Sequence, residues 1–293
     1  MKVVFHFDGS EALRAKLGDV LLCPESDTAA FERLLPEMEV LWHVLKPVTA
    51  DVIARAPELK LIQKIGSGVN TIDVAAAKQR GIAVCNLPGT NSRAVAEMTL
   101  LLMLACLRRL PELQKVDWFD AGKLQDRFGE LGGRTVGLVG YGEVPKILHP
   151  ILDALGARVL FWSRSRRNAE LNDLLSRSDI VSLHLPLVPD TQRLIDPRRL
   201  KRGAILMNTA RGGLVQEEFL SGCLDSGHLA AAGLDVFTIE PPDRGNPLLA
   251  LPSVVCTPHV AWLTQETLAR SIEIARENVR RLKSGADLLH RVA

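Results

Sequence analysis

Residues 135–145 read Thr-Val-Gly-Leu-Val-Gly-Tyr-Gly-Glu-Val-Pro, an apolar run that ends in two closely spaced glycines, Gly140 and Gly142. About twenty residues further on, a second apolar run ends at Ser163-Arg164. A strand, a glycine turn and a second strand outline the start of a dinucleotide-binding βαβ unit. Gly140 permits the tight turn, and Gly142 lets the backbone approach a pyrophosphate. The amides of Glu143 and Val144 then face that anion at a helix N-terminus. Pro145 stands where the pattern has its third glycine. A plain strand–helix turn is the other reading of a G-x-G pair.

Short apolar runs alternate with amphipathic ones throughout. Candidate strands are 3–7, 40–43, 61–65, 83–86, 136–139, 158–162, 180–184, 204–208, 231–234 and 254–256. Helical stretches lie between most of them, which predicts an α/β fold with mostly parallel sheets. Two turn-rich passages, 86–93 before a long helix over 94–109 and 257–264 before a final helix over 265–284, predict crossings between domains. One domain is then discontinuous, 1–93 plus 265–293, and the other is 94–264. A cleft between domains is the usual place for a small-molecule site.

At 293 residues the chain is long enough for two such cores. A net charge of +2 gives no global pull toward nucleic acid or membrane, and 4% aromatic residues leave little for base stacking. The five cysteines are scattered without a C-x-x-C, and the histidines lack zinc spacing. No metal is therefore expected, and reduced cysteines predict a cytoplasmic protein. The opening run, residues 1–7, is too short for a signal peptide. The longest apolar stretch, 98–106, falls far below the roughly 20 residues that span a bilayer.

Three ionisable residues follow apolar runs in the second domain. Arg211 precedes Gly212-Gly213 at the end of the run 204–210. There it can clamp a carboxylate through two parallel hydrogen bonds, or stand as a surface arginine. Glu240 lies in Asp-Val-Phe-Thr-Ile-Glu (235–240), and His259 in Thr-Pro-His (257–259). A histidine held by a carboxylate can deliver a proton near neutral pH. The sequence leaves open whether these two meet. His6, His149, His184, His228 and His290 are read as structural or surface residues.

Four segments in order resemble the D-isomer-specific 2-hydroxyacid dehydrogenase family: 66–73 (Gly-Ser-Gly-Val-Asn-Thr-Ile-Asp), 137–142, 208–215, and 235–240 with 257–259. The resemblance covers essentially the whole chain. It implies two Rossmann-like, doubly wound parallel-sheet domains and a homodimer. It also implies hydride transfer between NAD(P)H and a small 2-keto or 2-hydroxy acid of the glyoxylate or hydroxypyruvate type. By the same resemblance Arg211 binds the substrate carboxylate, His259 is the acid/base and Glu240 its partner. Ser67, Gly68 and Val69 offer backbone N–H groups to the carboxylate, a concave anion site in chemical terms. Thr209, Ala210 and Asp235 lie against the nicotinamide, Pro186 and Thr191 line the adenosine side, and Trp262 walls the site. Lys64 and His43 suit a polar substrate tail or the surface. Trp118 and Phe119 suggest a contact arm.

The cofactor is read from the end of the second strand, where NAD enzymes carry an acid. Here the run is Phe-Trp-Ser-Arg-Ser-Arg-Arg (161–167). Ser163 can donate to a 2′-phosphate and Arg164 can pair with it, so NADP is expected, with NAD possible. Glu143, Pro145 and Pro150 depart from the family. Pro150 inside the helix removes a hydrogen bond to the Lys146 carbonyl at a cost of about 3 kcal/mol, which predicts a break or kink between Lys146 and Pro150. These departures motivate an alternative, a catalytically weakened relative that acts as a binding or regulatory protein.

Overall fold

The computed structural model describes residues 1–120, 122, 126–165 and 167–293. It divides into two compact units, Met1–Asn91 with Thr264–Ala293, and Ser92–Leu263.

Among the described residues, the first unit carries β1 (Val3–His6), α1 (Glu11–Leu17), β2 (Leu21–Cys23), α2 (Thr28–Leu34), β3 (Val40–His43), α3 (Ala50–Ala54), β4 (Leu61–Lys64), α4 (Val74–Gln79) and β5 (Ala83–Cys85). The strands form a sheet in the order β2-β1-β3-β4-β5, and every pairing is parallel. β1, β3 and β4 are buried along their whole length, as a sheet covered on both faces requires. The helices are short, and each begins where a side chain accepts a bond from a first-turn N–H. Ser10, Asp27, Thr49 and Asp73 serve α1 to α4 in that way. The C-terminal helix Gln265–Ser284 closes the unit, capped by Thr264 and ended by Gly285 at φ 72°. Its buried Asn278 donates to Gln63 Oε1 at 2.6 Å, which ties the helix to β4.

β2 was absent from the expected strands. Its three residues are too few to show a period, and it sits at the sheet edge. Lys64 and His43 are buried, at 4% and 0% exposure, rather than on the surface. The Lys64 ammonium donates to the Val44 carbonyl and lies 3.3 Å from Thr71 Oγ1. Burial first, and the charge of Lys64 second, hold the His43 pKa well below the usual value.

The second unit opens with α5 (Ser92–Leu107) and α6 (Leu110–Leu113). The expected helix over 94–109 starts two residues earlier and stops at Leu107, because Arg109 takes φ 49°. Then follow β6 (Thr135–Val139), α7 (Glu143–Ala154), β7 (Arg158–Trp162), α8 (Leu171–Arg177), β8 (Ile180–Leu183), β9 (Ala204–Asn208), α9 (Leu220–Asp225), β10 (Leu229–Leu234) and β11 (Val254–Cys256). The sheet order is β11-β10-β9-β8-β6-β7, again all parallel. The chain winds one way from β6 to β7 and the other way from β8 onward. The switch point therefore lies between β6 and β8, where open α/β sheets hold ligands beyond the strand ends. The two parallel sheets match the α/β class expected from the alternation.

Of the break or kink expected in α7, the break does not occur. The helix runs unbroken from Glu143 to Ala154 with Pro150 inside it. Pro145, Leu148 and Leu152 are buried at helical spacing, so packing against the sheet outweighs the local penalty. Pro150 and Lys146 both stand on the exposed side, where water can serve the carbonyl that the proline leaves without a partner. Glu143 points outward, 64% exposed, and its carboxylate meets Lys146 Nζ at 2.6 Å. The proline penalty still stands in the ledger. Pro150→Ala is expected to raise the unfolding free energy by about 1–3 kcal/mol, read as a higher denaturant midpoint at unchanged slope. An unchanged midpoint would mean that the helix carries the proline at no cost.

Candidate active site

Beyond the ends of β6, β7 and β8 lies a cavity of about 310 Å³. It is lined by Gly140, Tyr141 and Gly142 after β6, by Trp162 to Ser165 after β7, and by His184 to Pro186 after β8, with Asp190, Thr191 and Leu194. Gly140 takes φ 103°, and a Cβ there would stand 2.5 Å from the His184 carbonyl oxygen. Only glycine lets the turn lie this close to the end of β8. Gly142 differs, since apart from its own chain neighbours no atom lies within 4 Å of the position of its Cβ. That open space, in front of a helix N-terminus whose amides lack helical partners, suits a pyrophosphate. The residues present therefore fit a dinucleotide.

Several expected residues meet here. Thr191 Oγ1 donates to the Pro186 carbonyl at 2.7 Å and accepts from Val188 N at 2.9 Å, which pins the loop after β8. Ser163 and Arg164 are on the same wall, and Arg166 lies outside the described residues. Among the cavity residues that the sequence did not mark are His184 and Asp190. His184, read as structural or surface, lines the cavity, with Nε2 2.9 Å from Ser182 Oγ. Burial lowers its pKa to about 3, so it is a neutral group near physiological pH. Asp190 supplies a carboxylate, 3.8 Å from Arg164 Nη1. Nothing in the local sequence marks Asp190, because it belongs to a different loop from the arginine.

A second cluster forms beyond β9, β10 and β11. Their last residues are level in the sheet, Asn208 beside Leu234 and Leu234 beside Cys256. The segments that follow them carry Arg211, Asp235 with Glu240, and His259. His259 Nδ1 lies 2.6 Å from Glu240 Oε2, so the two residues that the sequence could not join do meet. Glu240 Oε1 accepts from Phe237 N at 3.0 Å. Burial acts to raise the Glu240 pKa. The bond and charge of His259, the Phe237 N–H and the charge of Arg211 outweigh it and hold the carboxyl below its usual range. Burial lowers the Arg211 pKa, and Glu240 opposes that. Arg211 Nη1 donates to the Ala210 carbonyl at 2.6 Å.

The loops are built to hold these groups. A Cβ on Gly212 would fall 2.0 Å from the Phe237 carbonyl carbon, so the Arg211 loop presses directly on the segment leading to Glu240. Asn208, 1% exposed and unremarked in the sequence, donates to the Arg211 carbonyl at 2.9 Å and accepts from Ala210 N at 3.1 Å. Thr209 Oγ1 is 2.9 Å from Thr99 Oγ1 on α5. Asp235, also 1% exposed, accepts from Thr257 Oγ1 at 2.6 Å, Val260 N at 2.9 Å and Ala261 N at 3.0 Å. Burial raises its pKa, with these donors acting against the rise. Trp262 Nε1 donates to the His259 carbonyl at 3.1 Å.

In the first unit, the Ser67-Gly68-Val69 turn follows β4. Asn86 Nδ2 donates to the Ser67 carbonyl at 2.8 Å, and Ser67 Oγ to the Leu87 carbonyl at 3.2 Å.

The Asp235 network yields a stability test. Asp235→Ala removes three buried acceptor contacts and is expected to destabilise the fold by about 2–4 kcal/mol, with the loss visible in chemical denaturation. A loss below about 1 kcal/mol would show that the loop holds its shape without the carboxylate.

Residues 100–261 match the family described as D-isomer specific 2-hydroxyacid dehydrogenase, NAD binding domain. The chain is 36% identical over 292 residues to a glyoxylate reductase of Aeropyrum pernix, covering 91% of this chain and 87% of that protein. It is 38% identical over 293 residues to a D-3-phosphoglycerate dehydrogenase of Mycobacterium tuberculosis, covering 92% of this chain and 54% of that protein, so it spans about half of that relative. Among solved structures, it resembles an NAD-dependent formate dehydrogenase of Staphylococcus aureus in complex with NAD, with a TM-score of 0.89, 25% identity and coverage of 100% and 99%. With the matched segment spanning more than half of its length, the chain belongs to the D-isomer specific 2-hydroxyacid dehydrogenase family.

Proposed function

We propose that the protein reduces small 2-keto acids of the glyoxylate or hydroxypyruvate type with a nicotinamide cofactor, NADPH by preference. The observation that carries this reading is the 2.6 Å contact between His259 and Glu240 in one cluster with Arg211. An acid/base, its carboxylate partner and an arginine are the set that reduction of a keto acid needs.

The cofactor, when bound, supplies the hydride. Gly140, Gly142, Glu143 and Val144 hold its pyrophosphate, Ser163 and Arg164 its adenosine ribose, and Pro186 and Thr191 the adenine side. Thr209, Ala210 and Asp235 belong to the nicotinamide end, where Asp235 also fixes the His259 loop. Arg211 pairs with the substrate carboxylate and draws electron density from the 2-keto oxygen. His259 has Nδ1 committed to Glu240, which leaves Nε2 for the substrate. From Nε2 a proton passes to the keto oxygen as C2 is reduced. Glu240 fixes the ring's orientation and balances the charge on the imidazole. The Ser67-Gly68-Val69 turn is a carboxylate-binding element of the first unit, and Trp262 walls the substrate. The first unit, Met1–Asn91 with Thr264–Ala293, serves the substrate, and the second, Ser92–Leu263, the dinucleotide. The protein is read as a cytoplasmic homodimer, with Trp118 and Phe119, 94% and 96% exposed, in its contact arm.

The alternative, a relative with weakened catalysis that binds or regulates, is motivated by Glu143, Pro145 and Pro150. The unbroken α7 and the outward Glu143 weigh against it, while Pro145 keeps the place of the pattern's third glycine.

Steady-state assays with glyoxylate and hydroxypyruvate are expected to consume NADPH. No turnover with any small 2-keto acid would overturn the reading. His259→Asn is expected to lower kcat by about 10²–10⁴ with little change in the cofactor dissociation constant. Arg211→Ala is expected to raise KM for the keto acid and lower kcat together. Near-normal turnover in either variant removes that residue from the mechanism.

A further inference from the structure

We infer that Asp190, delivered from the loop after β8, sets the balance between NADH and NADPH in the cavity beside Gly142. The inference rests on the reading that this cavity holds the adenosine end of the cofactor.

The end of β7 reads Trp162-Ser163-Arg164 and brings no acid. The cavity wall nevertheless contains one. Asp190 lines the same space as Ser163 and Arg164, and its Oδ2 stands 3.8 Å from Arg164 Nη1. The turn that carries it, Pro189–Thr191, is fixed in place, since Thr191 Oγ1 bonds to the Pro186 carbonyl and to Val188 N. A cation and an anion therefore face the same ligand position from two different strand ends.

Each group favours a different ribose. A 2′-phosphate pairs with Arg164, but it must do so beside the Asp190 carboxylate, which repels it. The 2′-hydroxyl of NADH carries no charge and can donate a hydrogen bond to Asp190. The acid thus reduces the advantage that Arg164 gives to NADPH and offers NADH an acceptor that β7 lacks. Asp190 and Arg164 are 80% and 71% exposed, so water and salt temper both effects. The size expected is several-fold to about tenfold in relative affinity.

The test uses Asp190→Asn and Arg164→Ala in the full chain. Dissociation constants for NADPH and NADH are measured by nicotinamide fluorescence, and kcat/KM is measured with each cofactor. Asp190→Asn is expected to tighten NADPH, weaken NADH and raise the NADPH-to-NADH ratio about tenfold, with the gain shrinking as salt is added. Arg164→Ala should move the ratio the other way. Opposite movement of the two dissociation constants is something a general loosening of the loop does not produce. If Arg164→Ala lowers the ratio while Asp190→Asn leaves it unchanged, the inference is wrong and the cofactor reading stands. If neither variant alters either constant although the protein binds both dinucleotides, the cavity is not the adenosine site, and the placement falls with the inference. Failure of the unaltered protein to bind either dinucleotide overturns both.

Discussion

At the end of β10 a carboxylate is taken out of water and given three donors, the Thr257 hydroxyl and the amides of Val260 and Ala261. Those donors lie on both sides of His259, whose own N–H reaches the Asp235 carbonyl at 2.9 Å. The loop is closed around this one residue. His259 takes φ 53°, a left-handed conformation that a non-glycine residue keeps only where its surroundings over-determine it. Trp262 bonds back to the His259 carbonyl and fixes the far side of the loop. The imidazole that meets Glu240 is thus aimed by a buried acid that does not touch it through its carboxylate.

The sheet of the second unit explains why one carboxyl edge holds both the cavity and the His259 cluster. β7, β6 and β8 end at the cavity, and β9, β10 and β11 end at the Arg211, Glu240 and His259 cluster. Parallel pairing in register brings all six strand ends to the same edge, so the cavity and the His259 cluster are neighbours by topology. Glycine is demanded where backbones must touch. Gly140 lies against His184 and Gly212 against Phe237. These two close approaches join the turns that follow β6 and β8 in one case and β9 and β10 in the other.

What the sequence made legible follows from what is local. The buried strands appear as continuous apolar runs, and their order with the helices between them is enough to give the α/β class. Arg211, Glu240 and His259 were visible because each follows such a run and sits in a segment that resembles the family. The structure adds what depends on distant loops. Asp190 and Arg164 are separated by a whole strand and helix, so no spacing rule connects them. Asn208 reads as the last residue of a strand, yet its side chain holds the turn that presents Arg211. His184 looks like any strand-end histidine until the close approach of Gly140 to its carbonyl sets it at the cavity. Arg166, counted with the basic run, lies outside the described residues.

α7 shows how a strong local rule can be outweighed. A proline in the middle of a helix was expected to break it, and the penalty of about 3 kcal/mol is real for an isolated helix. Within a fold the outcome turns on which face the proline occupies. Pro150 is exposed, whereas Pro145, Leu148 and Leu152 form the face packed on the sheet. Burying two leucines and a proline yields several kcal/mol at roughly 25 cal/mol per Å² of apolar area, more than the lost bond costs. Tyr141 adds a further tie, since its hydroxyl lies 2.6 Å from His149 Nδ1 and joins the glycine turn to the middle of the helix. The first turn also has nothing to lose to Pro145, because the N–H that this residue lacks would have had no helical partner. The helix that begins at Glu143 therefore runs on to Ala154, with the Glu143 carboxylate turned to Lys146 and Pro145 packed among the buried residues.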